Sequence, residues 1–63
     1  MIRCRYYLLG DGGRVQESEA LECETWGEAT AIARLILKGR PESRAIEIWE
    51  GARCIEKVDR SST

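Results

Sequence analysis

The hydrophobic and polar positions of the chain change their spacing twice, from strand-like to helix-like and back. Residues 2–9 are rich in β-formers and aromatics, which predicts a first strand. Residues 25–38 show apolar positions three and four apart, the spacing of an amphipathic helix. In residues 44–58 apolar and charged residues alternate again, which predicts a second hairpin. The element order that this pattern predicts is ββαββ.

The first hairpin is predicted from its turn. Asp11-Gly12 is the sequence most typical of a two-residue type I′ turn, because both positions of that turn adopt positive φ. The turn pairs Leu8 with Val15, so that apolar residues oppose one another along the two strands. We expect strand two to bulge or leave the sheet within residues 17–20, as edge strands often do.

The helix has signals at both ends. Thr25 and Glu28 form a T-x-x-E capping box, in which each side chain can satisfy a backbone amide of the first turn. Gly39 suits the position after the last turn, and Pro41 prevents the helix from continuing. These signals predict a helix over residues 26–38.

The second hairpin can be read in two registers. A type II′ turn at Gly51-Ala52 pairs Ile48 with Ile55, whereas a turn at residues 50–51 would pair Ile46 with Ile55. We prefer the first register, because it places the isoleucines of both strands on one face. In either register Trp49 points to the opposite face, away from the isoleucines.

Together these elements predict an α+β fold with a four-stranded antiparallel sheet in the order 2-1-3-4 and one helix packed on one face. We expect a single domain over residues 1–58 and a flexible C-terminal tail over residues 59–63. The predicted core consists of Ile2, Tyr6, Leu8, Val15, Leu21, Ala29, Ile32, Ala33, Ile36, Leu37, Ile46, Ile48 and Ile55.

Composition excludes several classes of function. The 63 residues carry a net charge of −1 and no histidine, so the commonest general base and metal ligand is missing. Cys4, Cys23 and Cys54 are an odd set without C-x-x-C spacing, which favours buried, inert thiols over a disulfide framework or a metal site. No stretch resembles a signal peptide or a membrane span. We therefore expect a cytoplasmic protein with no catalytic residue, no metal and no cofactor, and no enzymatic activity.

A basic block follows an acidic block of five glutamates within residues 17–28. Arg34, Lys38, Arg40 and Arg44 lie at and beyond the end of the predicted helix. Such a block can complement the helix dipole, or it can contact a phosphate or an acidic partner. The first interpretation is favoured, because cations near a helix C-terminus stabilise it without any ligand.

The chain also resembles a known class of small domains. The R-Y-Y strand, the D-G turn, the capped helix with E-A and a later Ala, and the I-E-I-W-x-G-A-R hairpin are similar to small bacterial ββαββ domains of unknown function. The residues that carry the resemblance are Arg5, Tyr6, Tyr7, Asp11, Gly12, Glu28, Ala29, Ala33, Ile46, Glu47, Ile48, Trp49, Gly51, Ala52 and Arg53. The resemblance implies the same element order and no particular activity.

The best candidate for function is the sheet face that a single helix leaves uncovered, hereafter the open face. Its predicted interaction residues are Arg3, Arg5, Tyr7, Leu9, Trp49 and Cys54, with Glu47, Glu56 and Val58 beside them. Aromatic residues on an exposed face are typical of interfaces. We expect a small interaction module, self-associating as a homodimer through the open face or an edge strand, or joined to another protein. The alternative is stacking of single-stranded nucleic acid on the aromatic and arginine side chains, which the acidic balance makes the weaker hypothesis.

Overall fold

The computed structural model describes residues 1–60 and has four strands and one helix. They are β1 (Ile2–Leu9), β2 (Val15–Cys23), α1 (Trp26–Lys38), β3 (Ala45–Glu50) and β4 (Arg53–Asp59). The strands form one antiparallel sheet in the order β2-β1-β3-β4, and α1 packs on one face. The predicted α+β fold and the 2-1-3-4 order are thus confirmed.

Helix α1 begins and ends where the sequence predicts. The Thr25 hydroxyl accepts a hydrogen bond from the Glu28 amide at 3.1 Å, which is one half of the capping box. At the other end the amide of Gly39 donates to the carbonyls of Leu35 and Ile36. The φ of Gly39 is −82°, so the helix ends without the left-handed residue that a glycine would permit.

The turn of the first hairpin differs from the prediction. A three-residue segment, Asp11–Gly13, joins the strands in place of the two-residue turn. The amide of Gly10 donates to the carbonyl of Arg14 at 2.8 Å and closes the loop. Gly12 and Gly13 both have positive φ, 74° and 78°. The extra glycine lets the backbone remain left-handed for a second residue, which lengthens the loop.

A β-bulge follows the turn and changes the predicted pairing. Leu9 pairs with Val15, but Leu8 pairs with Glu17, so Gln16 is the extra residue. The predicted pairing of Leu8 with Val15 is therefore wrong, and the bulge lies before the predicted segment. Beyond the bulge the observed register is shifted by two residues from the predicted register. Because side chains alternate with a period of two, each one still lies on its predicted face.

Contacts from distant parts of the chain hold this bulge. The Gln16 side chain lies against Gly10. A Cβ atom on residue 10 would come within 2.4 Å of the side-chain Nε2 of Gln16. Its Oε1 accepts a hydrogen bond of 2.6 Å from the buried hydroxyl of Ser43. The bulge thus satisfies a buried polar group, which would otherwise be costly.

The second hairpin has the preferred turn and a second bulge. Gly51 has a φ of 61°, and Trp49 pairs with Cys54 across the two-residue turn, as predicted. Ile48 then pairs with Glu56, so Ile55 is the bulged residue and the predicted Ile48–Ile55 pair is wrong.

The second bulge also changes which face the rest of β4 presents. Val58 pairs with Ile46 and is buried on the helix side, the face predicted for Ile55. Lys57, not Glu56, lies opposite Glu47. The predictions that Glu56 and Val58 lie on the open face are therefore wrong.

The core lies between α1 and the sheet. Its buried members are Cys4, Tyr6, Leu8, Cys23, Ala29, Ala33, Leu37, Ile46, Ile48 and Val58, with Ile2, Leu21, Trp26 and Ile36 packed against them. Val15, predicted in this core, is 54% exposed. Two thiols are buried as predicted, but Cys54 is exposed.

A polar network joins β2 to the end of α1. The Tyr6 hydroxyl, in a side chain that is only 6% exposed, donates to Glu17 at 2.8 Å and to Glu19 at 3.0 Å. Glu17 in turn accepts a 2.7 Å hydrogen bond from Arg40, just past the helix. These contacts fix the strand to the helix terminus, because one carboxylate is shared by both sides.

The last described residues belong to the folded structure. Strand β4 includes Asp59, and the Arg60 guanidinium donates to the carbonyls of Leu37, Arg40 and Ser43. Residues 59 and 60 are the first two residues of the predicted flexible tail. The rest of that predicted tail, residues 61–63, lies outside the described residues. Within residues 1–60 no helix is long and apolar enough to cross a membrane.

Candidate interaction face

Alternation along the strands arranges the open face in rows. Arg3, Arg5, Tyr7 and Leu9 are alternate residues of β1 and so point away from α1. The central row crosses all four strands and contains Ala20, Arg5, Trp49 and Cys54, because these residues pair directly with one another. The next row contains Ser18, Tyr7, Glu47 and Lys57. The register thus brings the predicted interaction residues together on one surface.

Two aromatic rings lie at the centre of the open face. The ring centroids of Tyr7 and Trp49 are 6.1 Å apart, and the planes are 86° apart, an edge-to-face arrangement. The Trp49 indole N–H donates to Glu47 Oε1 at 3.0 Å, which fixes the ring without burying it. Both rings remain half-buried, so they present apolar surface in a defined orientation.

Shallow cavities lie on both sides of Trp49. One has a volume of about 370 Å³ and is lined by Tyr7, Val15, Glu47, Trp49, Gly51 and Ala52. The other has about 260 Å³ and is lined by Arg3, Cys4, Arg5, Tyr7, Ala20, Trp49 and Gly51. The small turn residues beside Trp49 leave this space open, so a partner side chain could contact either face of the indole.

The charges of the open face are mostly neutralised within it. Arg3 forms an ion pair with Glu22 at 3.2 Å, and Lys57 lies 4.0 Å from Glu47. Arg5 donates to the Ser18 hydroxyl at 3.2 Å and forms no ion pair with a carboxylate of residues 1–60. The face therefore combines an apolar centre with bases and acids of nearly equal number.

The predicted site residues differ in accessibility. Leu9 is only 7% exposed and packs beside the buried Ala45, so it supports the face but offers little surface. Cys54 is exposed next to Trp49, with its thiol directed to the Glu56 carbonyl at 3.8 Å. The other four predicted residues border the cavities.

Several residues of the face were missed from the sequence. Val15 was assigned to the core, but the bulge at Gln16 turns it outward beside Tyr7. Lys57 was missed because the bulge at Ile55 reverses the alternation of β4. Ala20 carried no signal beyond its position in an alternating strand.

The chemistry of the described residues does not suggest a metal centre. No group of three or more potential ligands forms a cluster within residues 1–60. Burial raises the pKa of the Cys4 thiol, and the adjacent Cys23 raises it further. A raised pKa keeps this thiol protonated and unreactive at neutral pH, as expected of a core cysteine.

No protein-family model matches the chain, and no curated protein or solved structure is similar to it at a significant level. The function is therefore inferred from the geometry and charges of its residues.

Proposed function

We propose that the protein is a small interaction module that forms a homodimer through its open face. The observation that carries the proposal is the contact of Tyr7 with Trp49 on a face that no element of the described chain covers. Val15, 54% exposed, extends this apolar surface. Aromatic residues held in a fixed orientation are the usual anchors of interfaces, because they bury much area at a small entropic cost.

The charge distribution favours a second copy of this chain as the partner. Three bases of the face, Arg3, Arg5 and Lys57, are balanced by three acids, Glu22, Glu47 and Asp59. A twofold axis places each surface against itself, so a face of one sign would repel its copy, whereas a mixed face can place bases over acids.

The edge strands are less suited to association. Strand β2 presents acidic residues along the outer edge of the sheet, Glu17, Glu19 and Glu22. Two such edges would repel one another on pairing. Strand β4 has the bulge at Ile55, which interrupts the row of backbone groups that a new strand would need. The open face is thus favoured over either edge.

The size of the molecule limits the area of a contact through the open face. The two largest principal extents of the molecule are 31 and 21 Å, so its outline in projection covers at most roughly 650 Å². This is below the ~800 Å² per partner of a standard interface. A homodimer of this kind would therefore use most of one side of the sheet.

Sedimentation of Trp49→Ser tests the proposal. The wild type should pass from monomer to dimer as its concentration rises. The variant should require about a thousandfold more protein, because a twofold dimer loses a hot spot of ~2 kcal/mol from each of its two copies. Leu35→Ser is the matched control, because Leu35 is 69% exposed on the far side of the helix. A wild type that remains monomeric at millimolar concentration would contradict the homodimer, and a Trp49→Ser variant that loses its fold would make Trp49 a core residue.

A second candidate is single-stranded nucleic acid binding. It is favoured by one observation, that Arg5 lies directly opposite Trp49 and is not paired with any carboxylate in the described part of the chain. A base stacked on the indole could place its phosphate near this guanidinium. Mixed single strands should then quench Trp49 fluorescence in a Trp26→Phe background, less at high salt. Absence of quenching at low salt would eliminate this candidate.

A further inference from the structure

A groove runs between α1 and β4 on the helix side of the sheet. Leu37 of the helix and Val58 of the strand form its apolar floor, and Arg34, Lys38 and Arg60 form its rim. Its volume is about 330 Å³, within the range of roughly 300–1,000 Å³ typical of small-molecule sites. The groove exists because one helix cannot cover four strands, and β4 lies at the edge of the sheet.

The cations of the rim differ in what they contact. Arg60 donates to backbone carbonyls at the end of α1, including those of Leu37 and Arg40, so its role is structural. Arg34 and Lys38 form no ion pair or side-chain hydrogen bond with any residue in the described range. They lie four residues apart on the same flank of the helix, where like charges repel one another.

Within residues 1–60 no carboxylate lines this groove. This contrasts with other parts of the structure, where Arg3, Arg40, Arg44 and Lys57 each lie beside an acid. Arg34 and Lys38, two cations beside an apolar floor, are complementary to a molecule with one anionic end and one apolar end.

We propose that the groove binds a medium-chain fatty carboxylate. Its alkyl chain would lie on Leu37 and Val58, and its carboxylate would bind between Arg34 and Lys38. An arginine fork suits the two oxygens of a carboxylate, and the adjacent ammonium adds a second charge. The floor is recessed between a helix and a strand, so it accommodates a single chain better than the surface of a bilayer. This site is on the opposite side of the sheet from the open face, so it is independent of the proposed homodimer.

Titration of ¹⁵N-labelled protein with octanoate, below the concentration at which it forms micelles, tests the proposal. The amide signals of Arg34, Lys38 and Val58 should shift together and saturate. Affinity should rise from hexanoate to octanoate by about fourfold for each methylene that the floor buries. Octanol, with the same chain and no charge, should bind at least tenfold more weakly.

Charge-reversal variants distinguish binding in this groove from a general electrostatic attraction of fatty anions to the protein. The Arg34→Glu, Lys38→Glu double variant should lose at least tenfold in affinity, whereas Arg14→Glu, a reversal in the remote β1–β2 connection, should bind like the wild type. The reversed side chains are exposed, and an unchanged spectrum elsewhere would show that the fold is intact. The proposal is wrong if octanoate shifts the signals of Tyr7 and Trp49 instead, if octanol binds equally well, if the double variant retains affinity, or if only anionic vesicles are bound.

Discussion

Replacing Tyr6 by Phe tests how the first hairpin is held to the helix. The phenol donates to two carboxylates, Glu17 at 2.8 Å and Glu19 at 3.0 Å. Its ring is part of the core and is 6% exposed, so phenylalanine keeps the packing and removes only the hydroxyl. The change therefore isolates the hydrogen bonds from the hydrophobic contribution.

The expected loss follows from the surroundings of the hydroxyl. Hydrogen bonds to charged groups contribute about 1.5–3 kcal/mol to stability. The acceptor carboxylates retain contact with solvent, and Glu17 also keeps Arg40, so neither is left unsatisfied in the variant. We therefore expect the free energy of unfolding to fall by about 1.5 kcal/mol, the lower end of this range. In urea, with a slope of about 1 kcal/mol per molar for a domain of this size, the midpoint should fall by roughly 1.5 M.

The pH dependence gives a second, independent measurement. The hydrogen bond from Tyr6 and then the one from Arg40 lower the pKa of Glu17 below its ordinary value. A carboxyl with a lowered pKa in the folded state stabilises the protein above its unfolded pKa of about 4.3, and this contribution disappears as the pH falls through the folded pKa. Tyr6→Phe should therefore make stability less dependent on pH between about 5 and 3.

Unfolding by urea, followed by circular dichroism at several pH values, measures both effects. Glu17→Gln should reproduce the reduced pH dependence, and the double variant with Tyr6→Phe should show less than the sum of the two losses. A Tyr6→Phe variant within 0.5 kcal/mol of the wild type, or one with an unchanged pH profile, would refute the role assigned to the network.

Three further predictions concern the cap, the bulges and the thiols. Thr25→Ala should cost about 1 kcal/mol in unfolding free energy through loss of the N-cap, and an unchanged urea midpoint would contradict it. Val58→Ala should cost about 1.5–2.5 kcal/mol because the bulge buries this valine, whereas Val15→Ala should change stability by less than 0.5 kcal/mol; equal losses would contradict the two bulges. A thiol reagent should modify Cys54 rapidly in the folded protein and the other two cysteines only as fast as the protein opens, which mass spectrometry of partly labelled protein resolves.

The parts of the fold that sequence predicted correctly depend on local signals. The helix from Trp26 to Lys38 follows from its cap and its apolar spacing, and the turn at Gly51 follows from the need for positive φ. The strand order follows from chain length and the single connection that crosses the sheet. The signals for the helix and the turn lie within a few residues of those elements, and the strand order needs in addition only the length of the connection between β2 and β3.

The two bulges could not be predicted in the same way. Gln16 is the extra residue of the first bulge. Its side chain packs on Gly10 and accepts a hydrogen bond from the buried hydroxyl of Ser43, which is 27 residues away in the chain. The alternation of apolar and polar residues does not reveal an extra residue in a strand. It therefore predicts that Val15 is in the core and that Val58 is on the open face. The errors of register are thus confined to residues beside a bulge, and no bulge separates Tyr7 and Trp49, which lie together on the predicted face.

The same architectural constraint produces both surfaces proposed to bind a partner or ligand. One helix of 13 residues covers one side of a four-stranded sheet, so the other side remains open and the edge strand β4 is only partly covered. Tyr7 and Trp49 occupy the first of these surfaces, and Arg34 and Lys38 border the second. The proposed homodimer would cover the exposed aromatic rings of the first surface, and the proposed ligand would lie between the two like charges that border the second. Both proposals therefore rest on the same feature of the fold, which is sheet surface that α1 does not cover.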